Sequence, residues 1–283
     1  MMDILLYNPL SRNGKNPKFI TKIVNHLKSS GNLVETFSLL EIHDVDQFVS
    51  QLNPDDRIII VGGDGTINRL VNAINHKEIK QEIYMYQAGT GNDFVRSLKT
   101  KDKLVLITPY LKHLPVITYN QKKRLFLNGV GGGLDGYIAY LVNHSHFKKN
   151  KINYFRHSFE GFVKFKPVAA KITIDGKSFH EDKLWLASIM NGSYFGGGMK
   201  IAPKAHREEE NLHLIIVKNI PKWLLILIFP TIYFGWHIHF KKFVNCYIGQ
   251  KISFEMDQPI YLQIDGENEY PIQKIETEAF SKK

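Results

Sequence analysis

Hydrophobic positions in the first third of the chain alternate between two periods. Asp3-Ile4-Leu5-Leu6-Tyr7 is a short apolar run that reads as a strand, and Phe19, Ile20, Ile23, Val24 and Leu27 then recur on one helical face. Leu33 to Ser38 reads as a second strand. Val45, Phe48, Val49 and Leu52 predict a second helix, closed by Asn53-Pro54-Asp55-Asp56. Ile58-Ile59-Ile60-Val61 is β-branched throughout, which suits a strand buried on both faces. After it, Ile67, Leu70, Val71 and Ile74 return to helical spacing. A further strand, Glu82 to Tyr86, leads to a helix start at Phe94 to Leu98. This βαβα alternation predicts a parallel sheet with helices on both faces.

From about Lys122 the pattern changes. Arg124 to Val130 reads as extended and runs into Gly131-Gly132-Gly133-Leu134-Asp135-Gly136. A helical, basic and aromatic stretch covers Tyr137 to about Lys166. Strands are then predicted at Ala169 to Ile174 and Lys183 to Met190, with Asp175-Gly176 as a hairpin turn. Leu212 to Val217, Lys251 to Phe254 and Ile260 to Ile264 complete a mainly antiparallel second domain. Between them, Trp223 to Phe229 reads as a buried connecting helix, with contact to lipid as the alternative.

The turns carry the chemistry. Gly62-Gly63-Asp64-Gly65-Thr66 lies between a strand and a helix, so backbone N–H groups and a helix N-terminus converge as a phosphate site requires. Asp64 amid the glycines repels phosphate unless a cation intervenes, which predicts Mg²⁺ with Asp64 as a ligand or acid/base. The next strand ends in a similar turn, Gly89-Thr90-Gly91-Asn92-Asp93. Two such turns in consecutive βα units mark one ligand site beyond the carboxyl ends of the strands. Asn8, Ser11 and Lys15 follow the first strand and are further nucleotide candidates. The loop is not a Walker A motif, because its glycine spacing and Lys-Ser/Thr pair are absent.

Charge and composition narrow the partners. The 283 residues suggest two domains, and 37 Lys and Arg against 27 Asp and Glu leave +10, which favours an anionic partner. The basic residues occur in small groups, Lys122-Lys123-Arg124, Lys148-Lys149 with Lys151, and Lys241-Lys242, without zinc-ligand spacing or an RNA-binding sheet signature. An acidic membrane face is therefore expected and no nucleic acid. The single cysteine, Cys246, excludes an internal disulfide and fits a reducing compartment. The first residues lack the order of a signal peptide, and the longest apolar run, Trp223 to Phe234, is too short to span a bilayer and carries Pro230. Twelve histidines show no metal-ligand spacing, so His237 and His239 are read as packing or surface residues.

Taken in order, these motifs resemble the diacylglycerol kinase catalytic-domain family, specifically the soluble bacterial lipid kinases. The matching pieces are Asn8-Pro9-x-Ser11, Gly62 to Thr66 with Asn68, Gly89 to Phe94, Phe126-x-Asn128 with Gly131 to Asp135, Gly196-Gly197-Gly198 with Ile201-Ala202-Pro203, and Asp265-Gly266-Glu267. The resemblance implies an ATP- and Mg²⁺-dependent kinase acting on a lipid hydroxyl, with diacylglycerol first among the substrates. It also implies a Rossmann-like α/β nucleotide-binding domain over 1–121, a β-sandwich lipid-substrate domain over 122–271, an active-site cleft between them, and a return of 272–283 to the first domain. Gly62, Gly63, Gly65 and Thr66 would cradle the phosphates, and Gly89, Thr90, Gly91 and Asn92 would hold the nucleotide. Asp64, Asp93 and Asp135 would form a carboxylate–water–metal network. Glu267 is the candidate general base. Such an enzyme would be cytoplasmic and peripheral to the inner face of the membrane. The sequence sets no oligomeric state, and a homodimer is compatible with it.

Three departures from the family pattern matter. Arg69 stands where the family has a Glu that would complete a capping box with Thr66. Glu209, Glu210 and His213 replace acidic and glycine positions that contribute a structural Mg²⁺ site in bacterial members, which puts that site in doubt. The C-terminal segment is short. Arg69 keeps a catalytically weak nucleotide- or lipid-binding protein open beside the active lipid kinase. A sphingoid-base kinase and an NAD kinase stay open too.

Overall fold

In the computed structural model the described residues are 1–9, 16–74, 79–87, 92–145 and 151–280. The chain divides into two compact units, Met1–Lys112 and His113–Lys283.

The first unit runs β1 (Met2–Tyr7), α1 (Asn16–Ser29), β2 (Leu33–Ser38), α2 (Val45–Gln51), β3 (Arg57–Val61), α3 (Asp64–Ala73), β4 (Glu82–Tyr86), α4 (Asp93–Ser97), β5 (Leu104–Leu106) and α5 (Thr108–Leu111). Its sheet has the order β2-β1-β3-β4-β5. β1, β2, β3 and β4 pair in parallel, and β5 closes the edge antiparallel to β4. Ile4, Leu5, Leu6, Ile58, Ile59, Ile60 and Val61 have no exposed surface, as central strands covered on both faces should. Ile20, Ile23 and Leu27 of α1 pack on Leu5, Ile59 and Val61. At the other end of β1 and β3, Arg57 clamps the buried Asp3 through two hydrogen bonds of 2.7 and 2.9 Å, in the register that pairs these residues. The expected βαβα fold is present, and β3 and β4 lie side by side in its sheet.

The second unit runs β6 (Val116–Tyr119), β7 (Lys122–Leu125), β8 (Gly129–Gly133), α6 (Leu134–Asn143), α7 (Lys151–Lys164), β9 (Val168–Ile174), β10 (Lys177–Met190), β11 (Leu212–Lys218), α8 (Lys222–Ile228), two 3₁₀ turns (Phe229–Phe234 and Trp236–His239), β12 (Val244–Gly249), β13 (Lys251–Ile264) and β14 (Glu267–Glu278). All its strand pairs are antiparallel. The order is β12-β11-β10-β8-β13-β14-β6-β7, and β9 pairs both β10 and β13. Each of the two long strands serves β8 with one half and β9 with the other, so the sheet folds over on itself. Phe126, Ile172, Ile216, Phe254 and Ile264 pack in the core this creates.

β11 shows how a second core forms. Leu212, Leu214 and Ile216 point into the first core, while Ile215 and Val217 point to the opposite face with Leu134, Ile138, Phe162 and Trp185. Alternation of side chains along a strand feeds two cores because helices cover the outer face.

The structure departs from the sequence reading in three places. The unit boundary precedes His113, because β6 pairs β14 instead of joining the first sheet. Residues 272–278, expected to return to the first unit, are the second half of β14 and pair with β13 and β6 inside the second. The Trp223–Phe229 helix is not wholly buried: Leu225 and Ile228 are inside, whereas Trp223 and Leu227 are 64 and 65 % exposed.

Candidate active site

In the first unit, β3 ends at Val61 and α3 begins at Asp64, with Gly63 as its N-cap. A side chain at Gly62 would collide with Thr66, whose Oγ1 would lie 2.3 Å from the added Cβ. Thr66 therefore occupies the space that Gly62 leaves. Around Gly63 and Gly65 nothing lies within 4 Å of such a Cβ, so this face of the turn is open to a ligand. The Asp64 carboxylate accepts the backbone N–H groups of Asp93 at 2.9 Å and Phe94 at 3.2 Å. It thus ties the first glycine turn to the start of α4. Asn92 caps α4, its Oδ1 accepting the Val95 N–H at 3.0 Å. Asp93 is 3 % exposed. Asn8 directly follows β1 in the same unit. Ser11, Lys15, Gly89, Thr90 and Gly91 lie outside the described residues. Arg69 is exposed on α3.

In the second unit, Glu267 opens β14 just after a turn in which Asp265 and Gly266 have φ of 48 and 88°. The turn is pinned from several sides. Asp265 accepts the N–H groups of Leu127 at 2.6 Å, Asn128 at 2.7 Å and Gly129 at 3.1 Å. The carbonyl of Leu127 and the Oδ1 of Asn128 in turn accept from the buried Arg207. Gln263 Oε1 accepts the Gly266 N–H at 2.9 Å, and Asn143 Nδ2 donates to Gly266 O at 3.0 Å. The Glu267 side chain itself is 41 % exposed and lies 2.5 Å from Arg124 Nη2. The Arg124 guanidinium orients this carboxylate and pairs with its ionised form. This assembly explains why Phe126-x-Asn128 and Asp265-Gly266-Glu267, far apart in sequence, occur together.

Asp135 sits at the start of α6, 6 % exposed. Its Oδ2 accepts from Ser188 Oγ at 2.9 Å and from Gln263 Nε2 at 3.1 Å. A side chain at Gly131 would lie 1.7 Å from that oxygen, so the Asp135 carboxylate depends on glycine there. Burial pushes its carboxyl up to about 6, against the pull of the two hydrogen bonds. Asp135 also lines a cavity of about 70 Å³. Leu134, Phe162, Trp185, Phe195, Leu225 and Phe229 contribute to walls that are otherwise almost wholly apolar. His237 is the other titratable group there. Burial lowers it to about 4, and its Nε2 contacts Ile201 O at 2.9 Å, so it stands neutral at physiological pH. Asp135 thus has the setting of a polar anchor in an apolar chamber, with neutral donors around it, instead of the carboxylate company a metal ligand keeps.

Among the described residues no group of three His, Cys, Asp or Glu side chains is arranged to hold a metal. At the substituted family positions, His213 Nε2 faces Glu209 Oε2 at 3.5 Å. The Asp64 carboxylate, held by the Asp93 and Phe94 N–H groups, is the donor type of the single-carboxylate, phosphate-rich coordination that Mg²⁺ commonly takes.

Residues 3–114 match the family described as diacylglycerol kinase catalytic domain, and residues 128–276 match the YegS C-terminal NAD kinase beta sandwich-like domain. The chain belongs to the YegS-type diacylglycerol kinase catalytic-domain family. It is 25 % identical over 272 residues to the diacylglycerol kinase of Bacillus subtilis, covering 93 % of this chain and 88 % of that one. It is 26 % identical over 276 residues to a Shewanella frigidimarina protein named "Probable lipid kinase YegS-like", covering 93 and 87 %. A crystal structure of a diacylglycerol kinase from Bacillus anthracis shares the fold, with a TM-score of 0.65 at 21 % identity over 99 % of this chain and 94 % of that one.

This lipid kinase is therefore a phosphotransferase that acts on an alcohol group. Three of its site residues do not stand out in the sequence. Arg124 reads only as one of a basic triplet, although it is the partner of Glu267. Gln263 and Ser188, which hold Asp135, are unremarkable residues within strands. The available signal is weak: each is a lone polar residue between apolar neighbours near the end of its strand, Ala187 and Ile189 around Ser188, Leu262 and Ile264 around Gln263.

Proposed function

We propose that this kinase transfers the γ-phosphate of ATP, with Mg²⁺, to the free hydroxyl of a membrane lipid, diacylglycerol being the first candidate. The observation that carries the reading is the apolar cavity with Asp135 in its wall. Its lining suits acyl chains, and a neutral or charged Asp135 can hydrogen-bond the polar end of the substrate. A dinucleotide, polar along its whole length, finds few partners in such a chamber, which weighs against an NAD kinase.

The residues divide the work. Gly63 and Gly65 leave the α3 N-terminus open to phosphate oxygens, and Asp64 is the group that would hold Mg²⁺ beside them. The ion, when bound, neutralises charge on the phosphates. Glu267, oriented by Arg124, takes the proton from the lipid hydroxyl. The hydroxyl oxygen forms its bond to the γ-phosphorus as the bond to the β,γ-bridging oxygen breaks. ADP leaves, and the proton rests on Glu267.

The test is incubation of the purified protein with labelled ATP, Mg²⁺ and mixed micelles containing diacylglycerol, a sphingoid base, or NAD as acceptor. Phosphatidic acid is the expected product. Label in NAD, or tight ATP binding with no turnover on any lipid, overturns the reading, and the second outcome selects a catalytically weak binding protein.

A further inference from the structure

From Asn211 to Phe254 the chain carries Lys218, Lys222, Lys241, Lys242 and Lys251 and no Asp or Glu. The middle of this stretch, α8 and the two 3₁₀ turns, is two-sided. Leu225, Ile228, Ile232 and His237 face inward and line the cavity. Trp223, Leu227, Phe234 and Trp236 face outward, each at least 60 % exposed. Phe234 and Trp236 stack with ring centroids 5.0 Å apart, across Gly235 at a φ of 75°. Phe240, 39 % exposed, follows, and then the exposed pair Lys241 and Lys242. Large aromatics held outward in one short segment are a surface built for a partner.

Cations frame the aromatic pair. Lys200 packs on one side of Gly235, its Cδ 3.3 Å from where a Cβ would stand, and Pro203 packs on it as well. Pro203 is also in the wall of a groove of about 1210 Å³, counting its open part, with Lys204, His213, His239 and Lys241. Glu209 meets His213 at that wall. The stacked rings therefore stand at the rim of a basic groove.

We propose that this face docks on an anionic bilayer. Trp236, whose indole has an apolar body and a polar N–H, enters the headgroup region, and Phe234 sinks its apolar ring beside it. Lys204, Lys241 and Lys242 hold lipid phosphates in and beside the groove. The charge of the segment is complementary to such a surface. The elements that carry the anchors are those whose inner sides line the cavity, so docking sets the cavity wall against the bilayer that supplies a lipid. The purpose of the surface rests on the lipid-kinase reading. The binding itself does not.

The experiment pellets the full chain with vesicles of phosphatidylcholine, alone or mixed with phosphatidylglycerol, at low and high salt. Two double variants are compared, Phe234→Ser with Trp236→Ser, and Lys241→Gln with Lys242→Gln. Circular dichroism and melting curves establish that both fold. Wild type pellets with the mixed vesicles at low salt. The lysine variant binds about tenfold or more weakly, from two lost charges near the surface. The aromatic variant loses binding to the mixed vesicles, and both variants keep the wild-type rate on monomeric short-chain diacylglycerol. Wild type that ignores anionic vesicles, or variants that pellet like wild type, overturns the proposal. So does sedimentation that shows a wild-type dimer broken by the aromatic variant, which assigns the face to a second copy. Absent turnover on every lipid with the expected vesicle binding refutes the kinase reading and leaves the docking surface standing.

Discussion

Gln263 joins Asp135 to the turn that precedes Glu267: its Nε2 donates to Asp135 Oδ2 at 3.1 Å, and its Oε1 accepts the Gly266 N–H at 2.9 Å. One amide thus links the polar anchor of the cavity to the residue preceding Glu267. Replacing Gln263 by Met keeps the volume and removes both bonds. The expected result is a lower kcat on lipid with the KM for ATP unchanged. A parallel loss of ATP affinity would assign Gln263 to general stability instead.

Asp135 makes stability depend on pH. Its folded carboxyl titrates at about 6 against an ordinary 3.8, so the folded state holds the proton more tightly than the unfolded one. The contribution is fully present below about 4 and is lost as pH rises through about 6. Asp135→Asn cannot ionise, so it should be more stable than wild type at neutral pH by up to about 3 kcal/mol, with the gap closing in acid. Urea unfolding of the second unit across this range measures it. An unchanged gap in acid would contradict the burial argument.

Glu267→Gln should lower turnover by ~10²–10⁴ while ATP affinity stays near wild type and melting temperature changes little, since the side chain is 41 % exposed and glutamine keeps its size and an oxygen acceptor for Arg124. Arg124→Ala should cost less, and Arg124→Lys should recover part of it by restoring a cation near the carboxylate. Near-wild-type turnover of Glu267→Gln on the best lipid would remove the general base from the mechanism.

Gly65 lies within α3 with open space where a Cβ would stand. Gly65→Ala should therefore stabilise the helix, by up to ~1 kcal/mol, while narrowing the approach to the turn. Calorimetry should show a higher melting temperature together with weaker ATP binding. Gly65→Val should weaken binding further. Unchanged ATP affinity in both would place the phosphates elsewhere.

Asp64→Asn tests a double role. An amide can accept only one of the two N–H bonds from Asp93 and Phe94 and turns a donor toward the other, at a cost of about 1–3 kcal/mol. Mg²⁺-dependent nucleotide affinity should fall as well. A variant that loses stability but keeps Mg²⁺-dependent affinity would confine Asp64 to holding α4.

The sequence by itself determined the elements, because apolar spacing reports which face of a helix or strand is covered. The run Ile58 to Val61 could only be a central strand, and Gly62 to Thr66 after it could only be a tight turn into a helix. Asp64 and Glu267 were legible as candidates because their short motifs carry the chemistry locally. Tertiary structure decided what those residues touch. No spacing rule places Arg124 beside Glu267 or Gln263 beside Asp135, since antiparallel pairing brings together positions more than a hundred residues apart. Nor could composition show that Asp135 is enclosed among apolar walls, which is what raises its carboxyl. Contact of the Trp223 to Phe229 run with lipid was one reading of the sequence, but which side chains turn outward, Trp223, Leu227, Phe234 and Trp236, was not legible there. A segment apolar on every side reads as buried, and only the packing of α8 and the turns over the cavity leaves one side of it without a neighbour.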